Sequence, residues 1–293
     1  MKPQHMILAL LVTVIWGVNF TVVSIGLGSF PPLLLVALRF VIAAIPTLFL
    51  PRPNVPWPRL IAISATLFLG QFTFLFSGMA IGLPAGLASV ALQSQAFLTI
   101  LIASIVLRER PAVRQIGGTL VAFTGLAIIT ATVGGAGFSI AGLALCLAAA
   151  LCWATGNVLL RGVGKIDTLS LVAWLSLLPP IPLFGLSLLL DGPHTISHAL
   201  LTLNWSGAGA VLYISVLSTI IGYGIWGMLM KHYPAATVAP FSLLVPIFGV
   251  SSAAIILGET FDLTRISGIA LVLIGLVIVV FPFRKTLAAL YRN

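Results

Sequence analysis

Ten apolar runs, each close to twenty residues long, occupy roughly 6–26, 31–50, 60–81, 85–107, 113–132, 139–160, 168–190, 206–230, 235–257 and 264–283. A helix rises about 1.5 Å per residue, so about 20 apolar residues match the hydrocarbon thickness of a bilayer. Short punctuating links stand between the runs: "FPP", "PRPNVPWPR", "LPAG", "RERPAVR", "VGGAG", "RGVGKID", "DGPH", "HYPAA" and "GETFDLTR". Their Pro, Gly and charged residues end one helix and turn the chain into the next. They leave no room for a soluble catalytic domain. Only 6% of the 293 residues are charged. Soluble globular chains carry about a quarter, so this sequence cannot cover a core with a water-facing surface. The expected fold is an all-α integral membrane protein with ten transmembrane helices. The first run lacks a small-x-small cleavage site and is read as a retained helix.

The charges orient these helices. Lys2, Arg52, Arg59, Arg108, Arg110, Arg114, Arg161, Lys165, Lys231, Arg284, Lys285 and Arg292 fall in links on the N-terminal side. Arg265 alone lies on the other side, and Arg39 lies inside the second run. Cytoplasmic loops hold an excess of Lys and Arg, so both termini are expected in the cytoplasm. The net charge of +9 is thus a topology signal, not a basic stripe, and no nucleic-acid partner is expected. Cys146 and Cys152 are six apart in one run, on different helix faces, and read as small buried hydrophobes.

The chain repeats itself. "IVLRERPAVRQIGG" closes the fourth run and opens the fifth, and "IILGETFDLTRISG" closes the ninth and opens the tenth. Glu109 and Glu259 are 150 apart, as are Pro84 and Pro234; Gly118 and Gly125 recur as Gly268 and Gly275. "WG" at Trp16 returns as "WA" at Trp153. Each half, 1–134 and 135–293, holds five spans. Five is odd, so the second copy enters the membrane from the opposite face: two inverted five-helix repeats. Transporters built this way bind substrate near the midplane between the repeats.

These residues resemble the drug/metabolite transporter superfamily, and more narrowly its ten-span EamA-type metabolite exporters, over essentially the whole chain. Arg108 stands where the family phrase usually has Gly. Within the family the chain is most similar to the aromatic amino-acid exporter branch. The resemblance implies spans 1, 3, 4, 6, 8 and 9 around a central cavity, spans 2 and 7 as mobile walls, and spans 5 and 10 packed at the periphery.

Polar groups are costly against lipid and turn toward other helices or water. Thr13, Trp16, and Asn19 or Phe20 share a face of the first span, and Trp153 and Asn157 share a face of the sixth. An interhelical hydrogen bond is the competing use of each Asn. In the eighth span Tyr213, Val216, Ile220, Tyr223 and Trp226 follow one helical face. Shifting by 149 residues gives Ser64, Leu67, Gln71, Phe74 and Ser77 on the third. Tyr213 and Trp226 can instead be interfacial anchors. Gln93 and Gln95 of the fourth span lie about 200° apart, so one of them is expected to face inward. Arg39 can attract a substrate carboxylate, but snorkelling outward or pairing with backbone carbonyls is the favoured expectation. Pro46, Pro179, Pro180, Pro182, Pro240 and Pro246 remove helical hydrogen bonds and are candidate hinges or static bends. The repeated Gly pairs predict tight helix packing, with a homodimer contact as one use and a monomer as the other.

The carboxylates Glu109, Asp167, Asp191, Glu259 and Asp262 all sit in links or at span ends. Glu109 and Glu259 are expected to cap the following helix or pair with Arg. No catalytic set, cofactor motif or metal cluster is present in the sequence, so no enzyme and no cofactor are expected. His194 and His198 are placed in an external, solvated loop. Aromatic rings and amides with almost no charge suit a small neutral or zwitterionic solute with an apolar side chain. The expected protein is an inner-membrane bacterial exporter of amino acids or related metabolites working by alternating access. A multidrug or sugar-type carrier is the rival within the fold; a channel or intramembrane enzyme is the rival outside it.

Overall fold

The computed structural model describes residues 1–131, 139–161, 163–164 and 166–280. Lys165, Arg284, Lys285, Arg292, the 134/135 boundary between the halves and the tenth run beyond residue 280 lie outside the described residues.

Every regular element among the described residues is helical. Among the described residues nine helices are long and apolar enough to cross a membrane: α1 (Pro3–Leu27), α3 (Trp57–Ala80), α4 (Ala85–Val106), α5 (Val113–Ala131), α6 (Ile140–Leu160), α7 (Thr168–Leu190), α9 (Trp205–His232), α10 (Ala239–Leu257) and α11 (Leu263–Val280). The expected second span is α2 (Pro32–Leu48), a shorter apolar helix whose last turn, Ile45–Leu48, tightens to 3-10 geometry at Pro46. The short α8 (Gly192–Leu201) was not anticipated. The segment assigned to a solvated loop is a helix, with Ile196 and Ala199 buried and the rings of His194 and His198 stacked at 6.4 Å. α9, α10 and α11 are therefore the predicted eighth, ninth and tenth spans. Pro stands in the first turn of α1, α2 and α3, where its missing N–H costs nothing.

Several helices are irregular in their interiors. α3 carries a π segment at Ala65–Gly70, and α9 carries one at Tyr213–Ile221. α4 is interrupted at Leu92–Gln93, between Ala85–Ala91 and Ser94–Val106. α7 breaks after Leu175 and resumes at Pro180, with Pro182 in the new first turn. α10 follows a single turn, Ala235–Val238, and opens with a 3-10 segment, Ala239–Leu244, that contains Pro240; Pro246 then begins its α-helical part. The candidate hinge prolines thus coincide with changes of helix type, because Pro removes a donor and clashes with the preceding turn.

α1 packs against α9 and α10, α6 against α3 and α4, α2 against α7, and α5 against α11. The α5–α11 seam is glycine on glycine. A β-carbon on Gly118 would lie 2.7 Å from the Gly275 carbonyl oxygen, and one on Gly125 would lie 2.5 Å from that of Gly268. The tight packing expected of these glycines is met inside the chain, so they are not free to form a dimer contact. Large apolar residues such as Leu263, Ile266 and Ile274 on α11, and Ile255 on α10, face outward and are exposed. Such outward apolar belts suit lipid, and the molecule is a multi-pass membrane protein.

Polar contacts gather at the bundle ends. At the end bearing the N-terminus, Arg59 donates to the Leu159 and Arg161 carbonyls, Arg161 pairs with Glu109, and Lys231 pairs with Asp167. At the other end Glu259 accepts from the backbone N–H groups of Ala85 at 2.6 Å and Gly86 at 3.0 Å. Glu259 therefore caps the N-terminus of α4, not that of the helix following it. The reason is tertiary: α10 packs against the first part of α4, which brings the end of one helix to the beginning of the other.

Candidate functional site

A cavity of about 360 Å³ lies among the helices. Its volume falls within the range of about 300–1,000 Å³ usual for small-molecule sites. α1 supplies Trp16 and Asn19, three residues apart on one face. α3 supplies Gln71 and Phe72, α4 supplies Gln93 and Gln95, α6 supplies Trp153 and Asn157, and α9 supplies Ser218, Tyr223 and Trp226. Arg39 reaches the same cavity from α2.

Ten of the sequence-derived candidates therefore converge: Trp16, Asn19, Arg39, Gln71, Gln93, Gln95, Trp153, Asn157, Tyr223 and Trp226. Phe74 and Tyr213 do not. Phe74 packs on the hydrophobic core, and the Tyr213 hydroxyl donates to the Ile15 carbonyl at 2.9 Å. The proposed α9 face fails because it assumes α-helical spacing through Tyr213–Ile221, where the chain is π-helical. Each π turn holds more than 3.6 residues, so Tyr213 and Tyr223 fall out of line. On α3, Ser64 turns away and donates to the Leu175 carbonyl at 2.6 Å. Gln93 and Gln95 both line the cavity, contrary to the expectation that one would. Gln93 lies in the interruption itself and Gln95 in the helical segment after it, so a single helical wheel does not apply.

Arg39 corrects the favoured expectation most directly. It does not snorkel; the residue is only 2% exposed. Its Nε donates to Thr219 Oγ1 at 3.0 Å, and the Thr219 hydroxyl donates in turn to the Ile214 carbonyl at 2.8 Å. That second bond spans five residues, the spacing a π segment provides. The guanidinium carbon lies 4.0 Å from the centroid of the Phe72 ring, a cation–π contact in a desolvated setting. Two neighbours therefore fix its orientation.

The aromatic wall is similarly ordered. Trp16 Nε1 donates to the Ser218 carbonyl at 3.0 Å, and its ring lies 5.2 Å from both Tyr223 and Trp226. Asn157 Nδ2 donates to Thr99 Oγ1 at 3.4 Å, so this Asn makes an interhelical bond and lines the cavity as well. Other buried polar atoms of the wall have no partner among the described residues: Asn19 Oδ1, Arg39 Nη1, Gln71 Nε2 and Oε1, and Gln95 Oε1. Leaving a buried polar atom unpaired costs about 1–3 kcal/mol. Their convergence on one cavity marks it as built to hold something polar.

The sequence reading missed Phe72, Leu75, Ser242 and Thr219. It also placed the tenth span at the periphery, whereas α11 contributes Leu276 and Val280 to the cavity wall. α11 reaches inward because the glycine seam lets it lie close along α5, beside the 3-10 segment of α10. Thr219 was findable: it lies four residues before Tyr223, but the assumed spacing selected Ile220 in its place.

Among the described residues no group of three or more His, Cys, Asp or Glu side chains is placed to hold a metal ion. Of the described residues that line the cavity, Arg39 is the one charged side chain, and none is acidic.

Comparison with known proteins agrees with this architecture. The model of the EamA-like transporter family matches residues 4–131 and 140–281. A protein of Salmonella typhimurium (strain LT2) named "Probable amino-acid metabolite efflux pump" is 43% identical over 290 residues, covering 97% of each chain. Its namesake in Escherichia coli (strain K12) is 42% identical over 290 residues, again with 97% of each chain covered. One crystal structure superposes with a TM-score of 0.65 at 18% identity, covering 95% of this chain and 96% of that one, a likeness of fold. A cavity lined by aromatic rings and amides, in a multi-pass helical bundle matched along nearly its whole length, is a transporter's and not an enzyme's. This chain belongs to the EamA-like transporter family.

Proposed function

We propose that this protein exports small amino-acid-type metabolites across a bacterial inner membrane, by alternating access through the cavity between α1, α3, α4, α6, α9 and α10. The observation that carries the proposal is the cavity itself: aromatic rings on one wall, unpaired amides on the others, and a single oriented guanidinium. An apolar side chain packs on Trp16, Tyr223 and Trp226, while Asn19, Gln71, Gln93, Gln95 and Asn157 meet polar ends. Arg39 takes the carboxylate. The printed name of the two enterobacterial relatives supports amino-acid metabolites as the substrate class.

The fold in this proposal is ten spans in two inverted halves, 1–134 and 135–293, with both termini in the cytoplasm. Paired irregularities support it. The π segment at Ala65–Gly70 has its counterpart in Tyr213–Ile221, and the interruption at Leu92–Gln93 has one in Ala239–Leu244. The clustering of Arg59, Arg161 and Lys231 at the N-terminal end supports the orientation. α2 and α7, which pack together and carry Pro46 and Pro179–Pro180 at their breaks, are the moving walls.

The test is uptake of labelled Phe, Trp, Thr and a sugar into proteoliposomes, with and without a pH gradient. Saturable transport of at least one amino acid, with the sugar inert, is expected. Failure of all three amino acids overturns free amino acids as the substrate. Flux that does not saturate overturns alternating access in favour of a channel. Strict dependence on the pH gradient overturns a mechanism that has no carboxylate at the cavity.

A further inference from the structure

The charge balance of the cavity points to a narrower ligand than an amino acid. Among the described residues Arg39 is buried with an unpartnered Nη1, and none that lines the cavity is acidic. A zwitterion would bring its carboxylate to this guanidinium but leave its ammonium in the same low-dielectric space without a counter-charge. The amides and rings of the wall are neutral dipoles; they solvate an ammonium but do not balance it. A monoanion leaves the loaded site neutral.

The Gln71 side chain adds the second half of the argument. Both its Nε2 and its Oε1 are buried and unpartnered, so the residue presents one free donor face and one free acceptor. That pair complements a secondary amide, which has one N–H and one C=O. An ammonium uses the acceptor only. Gln71 adjoins Phe72, the residue under the Arg39 guanidinium, so the two recognition elements belong to one wall.

We propose that the preferred ligand class is the N-acylated amino acid: a carboxylate held by Arg39, an acyl amide paired with Gln71, and an apolar side chain against Trp16, Tyr223 and Trp226. This rests on the reading of the cavity as the substrate site of an amino-acid-metabolite exporter. In it the carboxylate is obligatory and the α-ammonium is not read.

Four matched probes test it: N-acetylphenylalanine, phenylalanine, 3-phenylpropionate and phenethylamine. Each is titrated against the full-length protein in detergent by thermal shift, and each competes for transport in proteoliposomes. N-acetylphenylalanine is expected to bind about tenfold more tightly than phenylalanine, and phenethylamine not at all. The Gln71→Leu variant is expected to bring the affinity ratio of N-acetylphenylalanine to 3-phenylpropionate close to one. Arg39→Gln is expected to lose carboxylate binding; if it does not fold, N-acetylphenylalanine amide tests the same contact from the ligand side and is expected to be inert. Tighter binding of phenylalanine than of its N-acetyl form overturns the inference, as does competition by phenethylamine. If phenylalanine is transported and N-acetylphenylalanine is inert, this inference falls and the exporter reading stands. If no amino acid and no acyl derivative is transported, the exporter reading itself falls.

Discussion

Gly17→Ala isolates the crossing of α1 and α10, on which the position of Trp16 depends. A β-carbon at Gly17 would sit 2.5 Å from Phe248 Cβ, 2.8 Å from the Val245 carbonyl oxygen and 3.0 Å from Gly249 N. Carbon atoms in ordinary contact are about 3.5–4.0 Å apart, so the helices must part by about 1 Å. Two of those neighbours are backbone atoms and cannot rotate away. Overpacking of this kind costs about 1–3 kcal/mol, and Ala returns up to about 1 kcal/mol through helix propensity. Trp16 moves with its neighbour. Its 3.0 Å bond to the Ser218 carbonyl then stretches beyond hydrogen-bonding range, for a further loss of about 0.5–1.5 kcal/mol. The net expectation is destabilisation by about 1–3 kcal/mol with a weakened cavity. Gly117→Ala is the control, because nothing lies within 4 Å of a β-carbon there. It carries the same propensity gain with no clash and is expected to be neutral or stabilising by up to about 1 kcal/mol. Thermal unfolding of the purified protein, paired with proteoliposome transport, reads both. Equal shifts of the same sign in the two variants would refute the clash argument.

Gly118→Ala and Gly275→Ala meet across one point of the α5–α11 seam, so the second substitution enters space that the first has opened. Their double variant is expected to cost less than the sum of the singles, by about 0.5 kcal/mol or more in a thermal double-mutant cycle. Glu259→Ala leaves the Ala85 and Gly86 amides without acceptors and is expected to destabilise by about 1–3 kcal/mol, with Glu259→Gln recovering part of that loss in the same assay. Burial raises the Glu259 carboxyl above its usual range, against the lowering effect of those two N–H groups. The folded chain thus holds this proton more tightly than the unfolded chain, so its contribution to stability is full below the usual carboxylate range and declines as pH rises through the folded value. Asp167 has the opposite sign: the bond from Lys231, then the Ser170 N–H, lowers it, so its contribution is present above the usual range and is lost as pH falls. The Asp167–Lys231 pair is half exposed and screened, so Asp167→Asn is expected to flatten the acid limb of the melting curve by less than about 1 kcal/mol.

The helices were legible because a bilayer demands long uninterrupted apolar runs, and such runs tolerate little ambiguity. α7 begins and ends where its run does. The cavity was legible where α-helical spacing holds, as for Trp16 with Asn19 and Trp153 with Asn157. It failed wherever the backbone left that spacing. Tyr213 was misplaced by a π segment, and Gln93 and Gln95 by an interruption at Leu92–Gln93 that no Pro or Gly announces. Contacts distant in sequence were also hidden. Thr219 steers Arg39 from 180 residues away, and Glu259 caps a helix that begins 174 residues before it. Local pattern does not encode such partners.

The π segment of α3 has a consequence for how this sequence can lengthen or shorten. A π turn is a helix holding one residue more than its pitch requires. Deleting a single residue within Ala65–Gly70 lets the segment relax to ordinary α geometry, and Gln71 keeps its bearing on the cavity. The same deletion in the regular turns after Gly70 has no surplus to absorb it and swings the residues on one side by about 100° relative to the other. The chain therefore holds, in α3 and again in α9, a one-residue reserve placed just ahead of Gln71 and Phe72 in the one and of Tyr223 and Trp226 in the other.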